Sequence, residues 1–343
     1  MKTYAVGIIG CGNIFPMHAE SLSKTPGVRL AAVCDTRRER AREKAHHYQC
    51  AYYTDYRTML KKEPLDCVHI CTPHYLHAPM ALESAGRGIH ALVEKPMAIT
   101  SRDASKMLTA FKDSKLTLGV ISQNRFNPGF QLVKRLADSG DLGSIFSSKL
   151  VLSYHKPDAF YRKSDWKGTW DKEGGGVVID QSIHFLDVLQ WIIDSDIDYI
   201  EANVANRMHR FIRVEDCAEG VVRFRNGAYV CFYLMNFYSY DADIQIEMHC
   251  EKARVKIIKD SAYVEFSDGR KKEARPRPNE YIDYGQGVKS YWGYCHYNQI
   301  RDFYDSLRRG KKPAITGLDG KKALDIVLAI YESSKRKKRV YFR

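Results

Sequence analysis

The feature that most constrains this chain is a glycine turn. Gly10-Cys11-Gly12 follows the apolar run Tyr4–Ile9 and leads into a helical stretch at His18–Lys24. In a strand–turn–helix of this kind the first glycine permits the tight turn and the second lets the backbone approach a pyrophosphate. The helix then turns its unpaired N–H groups and positive dipole end toward the anion. The expected contacts are Gly10, Gly12, Asn13 and Ile14. The third small-residue position of the motif holds Phe15, a large side chain where helix and strand normally pack closely. The next apolar run, Val28–Cys34, ends at Asp35, and 35 − 12 gives a spacing of 23 from the second glycine. A carboxylate there accepts hydrogen bonds from ribose hydroxyls and repels a 2′-phosphate, so NAD is expected rather than NADP. Arg37 and Arg38 lie close enough to blur that preference.

The first 120 or so residues alternate strand and helix. Apolar runs at Tyr4–Ile9, Val28–Cys34, Cys67–Cys71, His90–Val93 and Leu116–Ile121 are near-continuous, as in strands covered on both faces. Helical stretches at His18–Lys24, Arg38–Tyr48, Met80–Arg87 and Arg102–Ser114 separate them. That alternation implies a parallel, doubly wound sheet with right-handed crossovers. The pattern then changes. A helix near Phe130–Ser139 and a strand at Ile145–Tyr154 precede an aromatic-rich segment, His155–Glu173. Gly174-Gly175-Gly176 introduces a helix over Val177–Ile193. From Tyr199 to Phe266 successive strands follow, with Asn226-Gly227 and Asp268-Gly269 as turns. This half predicts an α+β domain on a mainly antiparallel sheet. Helices at Tyr297–Arg309 and Gly320–Lys335 close the chain. The expected domains are residues 1–122 and 123–343, with the C-terminal helices packing back on the first.

Composition narrows the class. Hydrophobic residues are 44% and charged residues 28%, a globular balance. No run of about 18 apolar residues occurs, so no membrane span is expected. The nine cysteines form no C-x-x-C pair. That points away from zinc ribbons and redox dithiols and toward reduced thiols in the cytoplasm. The net charge of +13 admits nucleic acid or an anionic substrate. No base-reading motif accompanies it, so no nucleic-acid partner is expected. The basic run Lys335–Arg339 suits a helix C-terminus.

Three further motifs occur in order. Cys71-Thr72-Pro73, with His77 after it, ends the third long strand. Glu94-Lys95-Pro96 ends the next. Gly174-Gly175-Gly176 through Asp180 to His184 opens the later helix. Over essentially the whole chain this set resembles the glucose–fructose oxidoreductase / inositol dehydrogenase / MocA family. The resemblance implies a Rossmann domain followed by an α+β domain with an open-faced sheet, and substrate between the two. It implies NAD(P)-dependent oxidation or reduction of a carbinol on sugars, glycosides, sugar nucleotides or inositols, without a metal. It implies Lys95, Asp180 and His184 as catalytic residues, and Thr72, Pro73, His77 and Glu94, with Lys95, around the nicotinamide ribose. His74 stands where the family often has Asn. The resemblance also implies a homodimer or homotetramer formed through the open sheet, and Tyr229–Phe237 is apolar at nearly every position, as a sheet covered on both sides would be.

Asp180 and His184 are four apart, so on a helix they share a face. A carboxylate beside an imidazole fixes its tautomer and stabilises the imidazolium formed on proton uptake. The expected chemistry has His184 removing the hydroxyl proton, Lys95 hydrogen-bonding the same oxygen, and Asp180 orienting substrate or histidine. No third and fourth ligand with metal-site spacing accompanies the pair. Tyr154 and Trp166, in the aromatic segment, are candidate substrate contacts, because aromatic planes suit pyranose faces; the other reading of that segment is packing over a domain interface. Arg125 is a candidate substrate ligand or a salt-bridge partner. Two other functions stay open: a non-catalytic NAD-binding regulator, and a dihydrodiol- or biliverdin-type reductase of the same superfamily.

Overall fold

The computed structural model describes residues 2–277, 282, 284 and 294–342. The chain divides into two compact units, Met1–Gln123 with Pro278–Lys321 and Asn124–Arg277 with Lys322–Arg343.

The first unit is a six-stranded parallel sheet in the order β3-β2-β1-β4-β5-β6. Its strands are β1 (Tyr4–Ile9), β2 (Val28–Cys34), β3 (Ala51–Tyr53), β4 (Cys67–Ile70), β5 (His90–Val93) and β6 (Leu118–Val120). Helices α1 (Phe15–Ser23), α2 (Arg38–Tyr48), α3 (Tyr56–Lys62), α4 (His74–Ala85) and α5 (Ser101–Asp113) connect them. The near-continuous apolar runs are the central strands, with β4 buried at every position. The order reverses between β1 and β4, the switch point where such sheets bind ligands beyond the strand ends. Three details differ from the sequence expectation. β3 and α3 were not expected, since three edge-strand residues carry little periodicity; Asp55 caps α3 by accepting from the Arg57 and Thr58 N–H groups. α1 begins at Phe15, with Pro in its first turn, rather than at His18. α4 begins at His74 and accommodates Pro79 within it.

Phe15 fills the place of the motif's third glycine. It is 1% exposed and meets Tyr48 edge-on, with centroids 5.7 Å apart. The gap left for a missing side chain is therefore closed by an aromatic pair across α1 and α2. Helix α9 (Tyr294–Arg308) packs against α1 in this unit and adds Ile300, Phe303 and Tyr304 to the core of Val6, Ile8 and Leu22.

The second unit is a nine-stranded mixed sheet. In chain order its strands are β7 (Ile145–Ser153), β8 (Ile197–Ala205), β9 (Cys217–Phe224), β10 (Tyr229–Met235), β11 (Gln245–Cys250), β12 (Ala253–Ile258), β13 (Ser261–Phe266), β14 (Lys271–Ala274) and β15 (Val340–Tyr341). They line up as β14-β13-β12-β11-β7-β10-β9-β8-β15. The β7–β10 pair is parallel and the other pairs are antiparallel. Asn226-Gly227 makes the expected hairpin between β9 and β10. Helix α6 (Pro128–Asp138) packs on β12, β13 and β14 and on α8 (Ile183–Ile193). α10 (Gly317–Arg336) begins in the first unit and ends in the second. A short helix, α7 (Asp158–Arg162), lies inside the aromatic-rich segment. On β10, Val230, Phe232 and Leu234 are buried, while Tyr229 and Tyr233 are 39% and 46% exposed. Within one chain this sheet has one core face and one open face. Among the described residues, no helix is long and apolar enough to cross a membrane.

Candidate active site

The glycine turn has the geometry its sequence requires. Gly10 sits at φ +98°, and a Cβ there would lie 2.4 Å from the Cys71 carbonyl oxygen at the end of β4. Only glycine permits that approach. A Cβ on Gly12 would meet nothing within 4 Å, so the second glycine faces open space that a bound group can enter. Among the described residues no side chain caps α1, and no acid lies in its first turn, which leaves its positive dipole end to an anion. Pro16 has no N–H, and the Phe15 and Met17 N–H groups donate to the Gly12 and Ile14 carbonyls at 3.2 and 3.1 Å. Asn13 is exposed and Ile14, the N-cap residue, partly so. Asp35 follows β2 and braces the turn: Oδ2 accepts the Cys11 N–H at 3.0 Å and Oδ1 the Arg37 N–H at 2.9 Å. The guanidinium beside it is that of Arg40, 3.3 Å away, rather than Arg37 or Arg38. Burial pushes the thiols of Cys11 and Cys34 up to about 12, which makes them packing groups. This cradle, its acid and its helix end fit a dinucleotide.

Thr72, Pro73, Glu94 and Lys95 lie at the carboxyl ends of β4 and β5, as expected. His77 is different. It is fully buried, with Nδ1 2.7 Å from the Pro96 carbonyl and Nε2 2.7 Å from the Thr72 carbonyl. It therefore ties the Cys-Thr-Pro turn to the Glu-Lys-Pro turn, which positions both. Burial lowers its pKa and the two carbonyls oppose that. Lys95 is partly exposed, and its backbone N–H donates to Glu94 Oε2 at 3.2 Å. Glu94 is itself 6% exposed, with Oε1 2.9 Å from His18 Nε2 and 3.2 Å from His296 Nε2. The three ligand-type atoms lie within 4.8 Å of one another. Both N–O separations are hydrogen-bond lengths, so donors and acceptor satisfy each other.

In the second unit the structure brings a cation to Asp180. Lys167 Nζ lies 2.8 Å from Asp180 Oδ2 and 3.4 Å from Glu173 Oε1. Gln181 Nε2 donates to the same Asp180 oxygen at 2.6 Å. Lys167 also lies over the Trp166 ring, 4.4 Å from its centroid. The two carboxylates raise the Lys167 pKa against its burial. Glu173 is 1% exposed, and burial pushes it up to about 8. The expected continuous helix over Val177–Ile193 starts instead with a π-helical turn, Val178–Ser182, before α8. Glu215 anchors that turn: buried, it accepts the Gly176 and Val178 N–H groups and the Tyr331 hydroxyl at 2.8–3.0 Å. Burial pushes Glu215 up to about 7. A Cβ on Gly176 would sit 1.9 Å from the Glu215 carbonyl, which is why the lead-in is glycine. Asp180 and His184 are both partly exposed at this helix start. π-turns are rare and concentrate at functional sites.

Arg125 forms a bidentate buried pair with Asp187, Nε–Oδ2 2.8 Å and Nη2–Oδ1 2.6 Å. Of the two roles expected for it, this is the salt bridge. Tyr154 is partly exposed, with Lys156 Nζ 5.4 Å from its ring centroid. Lys95 belongs to the first unit, and Asp180, His184, Tyr154 and Trp166 to the second. Sequence reasoning passed over His18, His69, His296, Lys167, Glu173 and Glu215. Only His69 carried a signal, as a polar side chain inside the apolar run Cys67–Ile70.

The first unit is thus an NAD-binding domain, and the protein an NAD-dependent oxidoreductase. Residues 4–122 match the profile described as oxidoreductase family, NAD-binding Rossmann fold. Residues 130–256 match the GFO/IDH/MocA C-terminal domain. The chain belongs to the Gfo/Idh/MocA family. It is 29% identical over 231 residues to the uncharacterized oxidoreductase YrbE of Bacillus subtilis, a match spanning 66% of this chain and 65% of that one. It is 23% identical to the myo-inositol 2-dehydrogenase of Thermotoga maritima over 98% of this chain and 97% of the relative. The WlbA dehydrogenase of Bordetella pertussis, solved with NADH and UDP-GlcNAcA, superposes with a TM-score of 0.87 at 25% identity, covering 100% of this chain and 98% of that one.

Proposed function

We propose that the chain is an NAD-dependent dehydrogenase of a secondary alcohol on a sugar, glycoside, sugar nucleotide or cyclitol. The observation that carries this reading is the Asp180 turn. A partly exposed carboxylate, held by Lys167 and Gln181, stands four residues before a partly exposed histidine, in a chain whose other unit carries the NAD cradle. Relatives that act on inositol or bind a sugar nucleotide support the substrate class. His184 takes the hydroxyl proton, Lys95 hydrogen-bonds the same oxygen and stabilises its developing negative charge, and Asp180 orients the imidazole or the substrate. NAD, when bound, supplies the acceptor for the hydride.

The test screens inositols, sugars and sugar nucleotides for NAD reduction, followed by the absorbance of the reduced cofactor. Lys95→Ala and His184→Ala are expected to lower kcat by roughly 10²–10⁴ with NAD affinity retained. Near-wild-type kcat in both variants would overturn the assignments. NAD binding with no turnover of any polyol in either direction would make the chain a regulator.

The open face of the second sheet, with Tyr229, Tyr233 and Tyr263 exposed on β10 and β13, supports a homodimer or homotetramer through that face. A monomer in light scattering at micromolar concentration would refute it. All nine cysteines are free thiols, which supports a cytoplasmic location, checked by cell fractionation.

A further inference from the structure

Glu94 is one end of a buried chain of hydrogen bonds whose direction follows when both its histidines are neutral. A carboxylate oxygen only accepts, so His18 gives its Nε2–H to Glu94 Oε1. In a neutral ring, His18 Nδ1 is then an acceptor. It lies 2.8 Å from His69 Nδ1, which must therefore donate. His69 Nε2 is left as an acceptor, and the Tyr304 hydroxyl donates to it at 2.8 Å. With both rings neutral, each contact holds one proton. His18 and His69 are fully buried and Glu94 is 6% exposed. Burial lowers both imidazoles, and the donors facing Glu94 hold its carboxyl well below the usual carboxylate range. In all, that carboxylate accepts two imidazole N–H groups and the Lys95 peptide N–H. A carboxylate accepting three such bonds is ionised.

The strand order locates this charge relative to the cofactor. A sheet ordered β3-β2-β1-β4-β5-β6 holds one mononucleotide on each half. Asp35, at the end of β2, assigns the adenosine to the β1–β3 half. The nicotinamide then falls to the half made by β4, β5 and β6, and Glu94 directly follows β5. The nicotinamide ring carries a positive charge when oxidised and none when reduced. A buried anion in low dielectric acts on the first form and not on the second.

We propose that the Glu94 carboxylate, fed by three N–H donors at the carboxyl end of β5, biases the cofactor site toward the oxidised, cationic nicotinamide. The inference rests on NAD binding in the glycine cradle. It does not depend on the identity of the alcohol substrate.

Binding tests it without turnover. Dissociation constants for NAD⁺ and for NADH are measured separately by calorimetry at pH 8 on the wild type, Glu94→Gln and His296→Gln. Glu94→Gln is expected to weaken NAD⁺ about tenfold while leaving NADH within about twofold, a shift of about 30 mV for a two-electron couple. His296→Gln, which exchanges an imidazole donor for an amide donor and keeps the carboxylate, is expected to change that ratio by less than about twofold. Equal weakening of both forms in Glu94→Gln, or an unchanged ratio, would make Glu94 a structural residue and overturn the proposal. A ratio shift in His296→Gln as large as in Glu94→Gln would overturn it too. Failure of the wild type to bind either form would sink the NAD assignment itself. If Glu94→Gln does not fold, histidine ¹⁵N spectra of the wild type decide: His18 protonated on Nε2 and His69 on Nδ1 support the chain, and an imidazolium on either ring at pH 8 refutes it.

Discussion

The two glycines of the turn have opposite surroundings, and alanine at each should fail differently. At Gly10, alanine meets two costs. A side chain at φ +98° loses about 1–2 kcal/mol. Its Cβ would also lie 2.4 Å from the Cys71 carbonyl oxygen, a backbone atom on the strand end. That segment is pinned by the Cys71 N–H, which donates to the Ile9 carbonyl at 2.8 Å, so it yields only with β1 and β4. Overpacking of this kind costs about 1–3 kcal/mol. Together the two terms give about 2–5 kcal/mol, or a fall in Tm of roughly 4–20 °C for a unit of this size. At Gly12 nothing lies within 4 Å of a new Cβ, so stability should change by less than about 0.5 kcal/mol. The methyl instead occupies the space through which a pyrophosphate reaches the backbone, and the Kd for NAD should rise at least tenfold, about 1.4 kcal/mol. Thermal unfolding of the cofactor-free protein and calorimetric titration with NAD separate the two effects. A Gly12→Ala variant that binds NAD like the wild type would refute the cradle. A Gly10→Ala variant as stable as the wild type would refute the close approach of the turn to β4.

Two other expectations follow. Asp187→Ala leaves the Arg125 guanidinium buried without its bidentate partner and should cost about 3–5 kcal/mol in urea unfolding; if Arg125 instead serves substrate, Arg125→Lys should raise KM with stability intact. Glu173 has its folded pKa pushed from 4.5 up to about 8, so its contribution is fully present below pH 4.5 and is lost as pH rises toward 8. Glu173→Gln should therefore remove about 1.4 kcal/mol per pH unit of downward slope from the stability profile across that window. Thermal unfolding from pH 5 to 8 checks it, and a slope equal to the wild type's would refute the buried protonated carboxyl.

The sequence by itself determined the local devices. The spacing from Tyr4–Ile9 through Gly10 and Gly12 to Asp35 records a covalent turn and the strand that follows it. The continuous apolar runs record burial on both faces, and Asn226-Gly227 records a backbone conformation open to few residues. Each of these is written over a few consecutive positions. Membership in the Gfo/Idh/MocA family was legible for the same reason, because its motifs are short and lie at strand and helix ends. Tertiary structure decided which side chains face each other across long separations. His18, His69, Glu94, His296 and Tyr304 come from three elements and the end of a fourth, and nothing in the spacing of one element predicts another. Lys167 reaches Asp180 across a loop whose aromatic residues suggested sugar binding and gave no hint of an ion pair. The single helix expected over Val177–Ile193 became a π-turn and a helix because Glu215, from a distant loop, holds the first N–H groups. Arg125 carried two readings in the sequence, and only the fold supplied Asp187. A motif specifies backbone that it contains. The charge state and aim of a site belong to groups that meet only once the chain has packed, where low dielectric and fixed donors set which of them are ionised.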